Sequence, residues 1–231
     1  MNNAIPHVIH CFWTGGPKTK LAQKCLASWR RFAPDWKIRE WNLDDLPEAA
    51  RSRGFLAEAV RLRRWAAASD WVRMWALREE GGVYLDLDVE LVAPIDDLCA
   101  EPWIASEWKV GGGTWLNPGG GIALERGSAL AADMLARYDR DGYRHDREMM
   151  VVINENLRAA FAATGATPRV LPPEAMCPVD PDGRLHRTSD THGIHWYAMS
   201  GATPAVRFCR WLAWHRLGWI VSLLRKVRHG K

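Results

Sequence analysis

Gly81-Gly82-Val83-Tyr84-Leu85-Asp86-Leu87-Asp88-Val89-Glu90 places two carboxylates two residues apart in an otherwise apolar, β-branched run. Side chains of a strand alternate between faces, so this spacing predicts a strand with Asp86 and Asp88 pointing the same way. Two like charges among Leu85, Leu87 and Val89 are unfavourable unless a positive charge sits between them. A divalent cation meets that need. A short unit of hard oxygen ligands suits Mg2+ or Mn2+, which keep open positions for water and phosphate oxygens, so the chemistry indicated is that of a nucleoside diphosphate. On three residues alone, a solvent-facing strand end before the Pro94 turn is the simpler reading; the surrounding sequence reverses it.

The chain has 231 residues, 48% hydrophobic and 25% charged, which allows a full core, predicts one α/β domain with elaborations and excludes disordered and fibrous classes. Its five cysteines (Cys11, Cys25, Cys99, Cys177 and Cys209) are scattered and form no Cys-x-x-Cys pair, so neither a zinc ribbon nor a disulfide framework is indicated. A reducing, cytoplasmic compartment is expected. The opening Ile5-Pro6-His7-Val8-Ile9-His10 follows no basic and apolar leader, so no secretory signal is expected, and the late apolar run between Trp219 and Leu224 is too short to span a bilayer. Of fourteen tryptophans, Trp29, Trp65, Trp71 and Trp75 fall at helical spacing and suit a core, while the excess suits platforms for bases and sugar rings. The net charge of +4 is uneven: Arg207 to Lys231 holds seven basic residues and no acid, leaving 24 basic against 27 acidic residues elsewhere. That distribution argues against nucleic acid as a partner and for a local anionic surface.

Val8 to Trp13 reads as a buried strand broken by Thr14-Gly15-Gly16-Pro17; Leu21, Cys25, Trp29 and Phe32 then recur at helical spacing, and Trp36 to Trp41 alternates as a second strand. Strand, helix and strand make a β-α-β unit, the start of a parallel sheet. Ala57 to Glu80 reads as helix in two pieces, with Ser69 capping the second and Gly81-Gly82 ending it. Further strands are predicted at 103–107, 122–124 and 169–171 and helices at 128–138 and 147–163, with mobile glycine loops at 111–113 and 119–121.

Asp70 and Arg73, at i and i+3 on the predicted helix, share a face. They make either a surface ion pair of little energetic weight or, at a helix N-terminus, a clamp for sugar hydroxyls and phosphate. Trp13 ends a strand where α/β sheets bind nucleotides, either stacking on a base or packing in the core.

Together these segments resemble the glycosyltransferase family with an Asp-x-Asp sugar-binding region. That family includes fungal α-mannosyltransferases and bacterial capsule and polysaccharide transferases and, more distantly, the glucosylating toxins. The resemblance runs through Ile5 to Trp13, Cys25 to Trp36, the block from Ala68 to Glu90, Leu116-Asn117, Leu171 to Pro178 and Ile194 to Ser200. It implies a GT-A-type fold with a Rossmann-like, mostly parallel central sheet and flanking helices, spanning residues 1–205, followed by a basic amphipathic tail over 206–231. It also implies a nucleotide-diphosphate sugar donor, a UDP-sugar ahead of a GDP-sugar, with Mn2+ or Mg2+ as cofactor and retention at the transferred sugar. Carried over by position, Trp13 resembles the base-stacking aromatic, and Ser69, Asp70 and Arg73 the donor-sugar and phosphate contacts. Asp86 and Asp88 resemble the metal and ribose ligands, Asn117 a sugar-pocket residue and His195 the late histidine at the metal. Met199-Ser200-Gly201 stands where the family often has Gly-Ser-Trp. With the other candidate carboxylates, Glu107, Glu125 and Asp146, offering no clear nucleophile, front-face transfer to a glycan or lipid-linked acceptor is expected. The tail, with Trp and Leu against Arg and Lys, fits the interface of an anionic inner leaflet. A metal-dependent phosphohydrolase or nucleotidyltransferase, and a non-catalytic membrane-associated binding protein, are the competing readings.

Overall fold

In the computed structural model, which describes residues 5–144 and 147–198, helices cover both faces of one seven-stranded sheet. The chain opens with β1 (Val8–Phe12), α1 (Lys20–Phe32) and β2 (Lys37–Trp41), β1 and β2 pairing in parallel with Val8 opposite Lys37. Thr19 caps α1, its hydroxyl accepting from Ala22 N at 3.1 Å. The buried stripe of α1 includes Cys25 and Trp29, as its spacing predicts, and the Trp29 indole N–H donates to Val89 O at 2.8 Å. Next come α2 (Glu48–Ser52), α3 (Gly54–Arg61), α4 (Trp65–Glu80), β3 (Gly82–Tyr84) and β4 (Val89–Leu91). Then follow β5 (Trp103–Trp108), β6 (Thr114–Leu116), β7 (Ile122–Leu124), α5 (Ala129–Asp141), α6 (Met149–Thr164), β8 (Arg169–Leu171), α7 (Pro173–Met176) and β9 (Gly193–His195).

The main sheet runs β2-β1-β3-β7-β5-β6, with β8 also on β5. Strands β1, β2, β3, β5 and β8 share one direction, and β6 and β7 run against it. Period-two alternation divides the core in two. Phe12, Tyr84, Ile104 and Ile122 face the layer of α3 to α6, whereas Ile9, Cys11, Val83, Trp103 and Ala123 face that of α1 and α7. His10 is buried on the former face but fully partnered: Trp41 Nε1 donates to its Nδ1 at 3.0 Å, which leaves Nε2–H for Gly81 O at 2.7 Å. A separate two-stranded sheet pairs β4 with β9 antiparallel, Val89 opposite His195. Among the described residues, no helix is long and apolar enough to cross a membrane.

Three expectations change. The two helical pieces divide at residues 62–64, where Arg63 takes φ 54°, and Ser69 lies inside a continuous α4 instead of capping it. Asp86 to Asp88 form a turn, closed by Val89 N donating to Asp86 O at 2.9 Å, so a reverse turn and not strand alternation brings the two carboxylates together. The Gly119 to Gly121 segment is buried and hydrogen-bonded rather than a free loop; a Cβ on Gly119 would come within 2.3 Å of Asp86 Oδ2, and one on Gly120 within 2.3 Å of Cys177 Sγ. The tail over 206–231, together with Asp146, Ser200 and Cys209, lies outside the described residues.

Candidate active site

Strands β1 and β3 run parallel with His10 opposite Tyr84, so Trp13 and Asp86 leave the sheet at the same edge, the carboxyl ends where α/β sheets bind ligands. Helix α4 packs between that sheet and α3 and α5, and it is buried on nearly every side. Polar residues in such a helix need partners. Arg73 Nη1 donates to Asp70 Oδ1 at 2.6 Å and Nη2 to Asp86 Oδ1 at 3.2 Å, while the guanidinium carbon stands 4.9 Å from the centre of the Tyr84 ring. Asp70 and Arg73 therefore form a buried pair in the second and third turns of α4, neither on the surface nor at its N-terminus as the sequence suggested. Burial pushes the Asp70 carboxyl up to about 6 although Arg73 pulls the other way. For Arg73 burial acts downwards, but Asp86 and Asp70 override it and raise the guanidinium. Ser69, one residue before Asp70, donates from Oγ to Asp86 Oδ1 at 3.2 Å and takes a hydrogen bond from the Tyr84 hydroxyl at 2.8 Å.

Asp88 is held from the other side. His195 Nε2 lies 3.2 Å from Asp88 Oδ1, the Ala198 amide donates to Oδ2 at 2.6 Å, and the Trp196 amide donates to the Asp88 carbonyl at 2.9 Å. Burial alone would raise the Asp88 carboxyl, yet the imidazole holds it below the usual carboxylate range. Burial likewise disfavours a charged His195, but the Asp88 carboxylate lifts the imidazole well above its ordinary value. Nε2 faces the Asp88 carboxylate, and Nδ1 lies 3.3 Å from the Asn117 amide nitrogen and 3.9 Å from Cys177 Sγ.

Asn117 is the hinge of this wall. Its Oδ1 accepts from Gly119 N and Gly120 N, each at 3.0 Å, while Nδ2 donates to Glu107 Oε2 at 2.6 Å and lies 3.3 Å from His195 Nδ1. Both ends of the amide are thereby engaged, so Asn117 builds the pocket rather than offering a free group to a sugar. Trp13 is half-buried against the α1 layer, with its indole N–H on Gly16 O at 2.9 Å. Glu125 follows β7 at the Gly82 end of β3, opposite the Asp86 end, and is thus removed from the site.

Sequence reasoning left out Tyr197, whose ring stacks on His195 with centroids 4.1 Å apart and whose φ is 51°, and Cys177, buried with Sγ 3.9 Å from His195 Nδ1. The signal for both lay in the motifs around Pro178 and His195, which carried only His195 as a site residue.

Asp86, Asp88 and His195 each present a ligand atom, and the three atoms lie within 4.8 Å of one another. Two carboxylates and an imidazole are a donor set that accommodates Mg2+ or Mn2+ with positions left for phosphate oxygens, so these residues fit such an ion. Residues 19–107 match the family described as glycosyltransferase sugar-binding region containing DXD motif. The match covers 89 of the 231 residues and makes this segment similar to the DXD glycosyltransferases. The matched span holds Ser69, Asp70, Arg73 and both aspartates of the DXD motif, here Asp86-Leu87-Asp88. No curated protein matches the chain. Among solved structures the chain is similar to the PaToxG glycosyltransferase, at 14% identity and a TM-score of 0.50, over 69% of this chain and 70% of that one. It is also similar to a glycosyltransferase involved in the glycosylation of the major capsid of PBCV-1, at 14% identity and a TM-score of 0.50, over 84% of this chain and 95% of that one. At such identities the likeness speaks for the fold, which is of the GT-A glycosyltransferase type.

Proposed function

We propose that this chain is a metal-dependent glycosyltransferase that moves a sugar, with retention, from a nucleotide-diphosphate sugar to a glycan or lipid-linked acceptor in polysaccharide, capsule or glycoconjugate synthesis. The observation carrying this reading is the Arg73 to Asp86 contact at 3.2 Å, which joins the buried Asp70–Arg73 pair to the Asp86, Asp88 and His195 ligand group. A site built this way handles a charged diphosphate and a hydroxyl-rich ring side by side. A UDP-sugar is the first donor to test and a GDP-sugar the second.

A divalent ion, Mn2+ or Mg2+, held by Asp86, Asp88 and His195 supplies a Lewis acid for the leaving diphosphate. The chain's own residues do the positioning. Arg73 sets the Asp86 carboxylate with one arm of its guanidinium and orients Asp70 with the other, leaving Asp70 Oδ2 to accept from a sugar hydroxyl. Trp13, at the same sheet edge, offers an aromatic ring to the base. Front-face transfer, in which the departing phosphate takes the acceptor proton, requires no carboxylate nucleophile from the chain. The basic stretch 206–231 supports a peripheral, cytoplasmic place on an anionic leaflet, where a lipid-linked acceptor is at hand.

The test is turnover of a nucleotide-sugar panel with Mn2+ by the wild-type protein and Asp88→Asn. The variant keeps an oxygen for the Ala198 amide, so it should fold while metal-dependent turnover disappears. Full activity in Asp88→Asn, or no turnover of any donor by the wild type, overturns the reading.

A further inference from the structure

A second constellation faces the same site from the β5–β6 hairpin. Glu107 stands directly opposite Trp115, and alternation along β6 puts Trp115 on the face of Asn117, two positions on. The Glu107 carboxylate accepts from Asn117 Nδ2 at 2.6 Å and is also hydrogen-bonded by the Tyr197 side chain. Both donors are neutral, so they aim the carboxylate without pairing its charge. Through Asn117 it connects to His195, and through His195 to Asp88.

Trp115 belongs to neither apolar core, although it is large enough to anchor one. It is half-exposed, and the Lys109 ammonium rests 3.5 Å from the centre of its ring. Beyond it the hairpin ends in the exposed glycines 111–113 and in Val110, which is 78% exposed. An indole outside both apolar clusters, beside a carboxylate aimed by neutral donors, matches the two surfaces of a pyranose. Its C–H face packs on an aromatic ring, and its hydroxyls donate to a carboxylate.

The position separates this pair from the donor contacts. In the strand order β3-β7-β5-β6, Glu107 on β5 and Trp115 on β6 lie two and three inter-strand steps, each about 4.8 Å, from the strand that leads into Asp86. Asp70 and Arg73 sit on the α4 side, Glu107 and Trp115 on the far side of the His195–Asn117 wall. We propose that Glu107 and Trp115 form the acceptor subsite, taking a sugar ring with its C–H face on the Trp115 indole and a hydroxyl on the Glu107 carboxylate. The proposal rests on the glycosyltransferase reading above and deepens it, since it makes the acceptor a glycan rather than a protein side chain or a bare lipid phosphate.

The experiment is saturation-transfer NMR on the full chain with UDP and Mg2+, using methyl glucoside, galactoside, mannoside and N-acetylglucosaminide as probes. At least one glycoside should receive saturation at its ring protons. That signal should fall at least fivefold in Trp115→Ala and Glu107→Gln and be largely retained in Trp115→Phe, which preserves a platform. Loss in Trp115→Phe equal to that in Trp115→Ala, a signal indifferent to Trp115→Ala and Glu107→Gln, or no bound glycoside at all each overturns the subsite. A thermal shift of the wild type with UDP and Mg2+ separates the two levels. Without that shift, and with none from GDP and Mg2+ either, the donor reading itself falls; with one of them, a failed glycoside test removes the acceptor subsite alone.

Discussion

Arg73 holds Asp86 with Nη2, 3.2 Å from Oδ1, while its other arm is spent on Asp70 at 2.6 Å. One guanidinium therefore sets both the DXD turn and the buried carboxylate of α4, and a planar fork is needed to reach two acceptors at once. Arg73→Lys keeps the charge but reaches only one of them. Donor kcat/KM should fall by about tenfold or more, roughly 1.4 kcal/mol of transition-state stabilisation. Arg73→Met, which strands Asp70 in the interior, should in addition cost about 3 to 5 kcal/mol of stability by denaturant unfolding. An unchanged kcat/KM in Arg73→Lys would leave the residue with a purely structural role.

The Asp88–His195 pair predicts opposite pH responses for the bare and the metal-loaded protein. Because the folded imidazole titrates well above 6.5, its contribution is fully present below 6.5 and is lost as pH rises through the raised value. Asp88, held below 3.8, contributes above 3.8 and loses that contribution as pH falls through its depressed value. In EDTA the pair therefore stabilises most between those limits. A bound ion must displace the His195 proton, so Mn2+ affinity should climb about tenfold per pH unit through the neutral range. Calorimetry at pH 7 in buffers of different ionisation enthalpy should record about one proton released per Mn2+; release of none would remove His195 from the ligand set.

Trp13 has a half-buried ring and an indole N–H already engaged by Gly16 O at 2.9 Å, which leaves its face for stacking. Trp13→Ala should weaken nucleoside-diphosphate binding by about 1 to 3 kcal/mol. Equal affinity in the folded fraction of the mutant would mean that the ring only packs against α1.

The basic tail makes a separate prediction. The full chain should co-sediment with vesicles containing anionic lipid and not with neutral ones, high salt should release it, and removal of residues 206–231 should abolish the effect, each basic residue near the surface contributing about 1 kcal/mol. Equal sedimentation with neutral vesicles, or none with anionic ones at low salt, would point to a soluble acceptor.

The parts of this site that were legible in the sequence are those set by local rules. The β1-α1-β2 unit, the end of α4 at Gly81 and the proximity of Asp86 to Asp88 follow from periodicity, glycine and short spacing. What escaped depends on partners distant in sequence. Strand alternation gave the right neighbours for Asp86 and Asp88 for the wrong reason, since the turn is stabilised by Gly119 and Arg73, neither of them adjacent in sequence. The burial of Asp70 and Arg73 could not be read from their i, i+3 spacing, which is the same on a surface. Strand β6, only three residues long, and the pairing of Glu107 with Asn117 across the hairpin were hidden by the glycines between them.

The pairing of β4 with β9 has a consequence for the order in which the site is assembled. The Ala198 amide on Asp88 Oδ2 joins positions 110 residues apart, and His195 arrives on the same short strand. While the chain is being made, the DXD turn emerges and the β-α-β half can collapse around it, but the imidazole opposite it does not yet exist. On the reading above, a nascent or prematurely terminated chain lacking β9 can fold much of its sheet and still be unable to charge itself with metal and donor. Synthesis thus carries its own delay: the Asp86, Asp88 and His195 group is not assembled until β9 has left the ribosome.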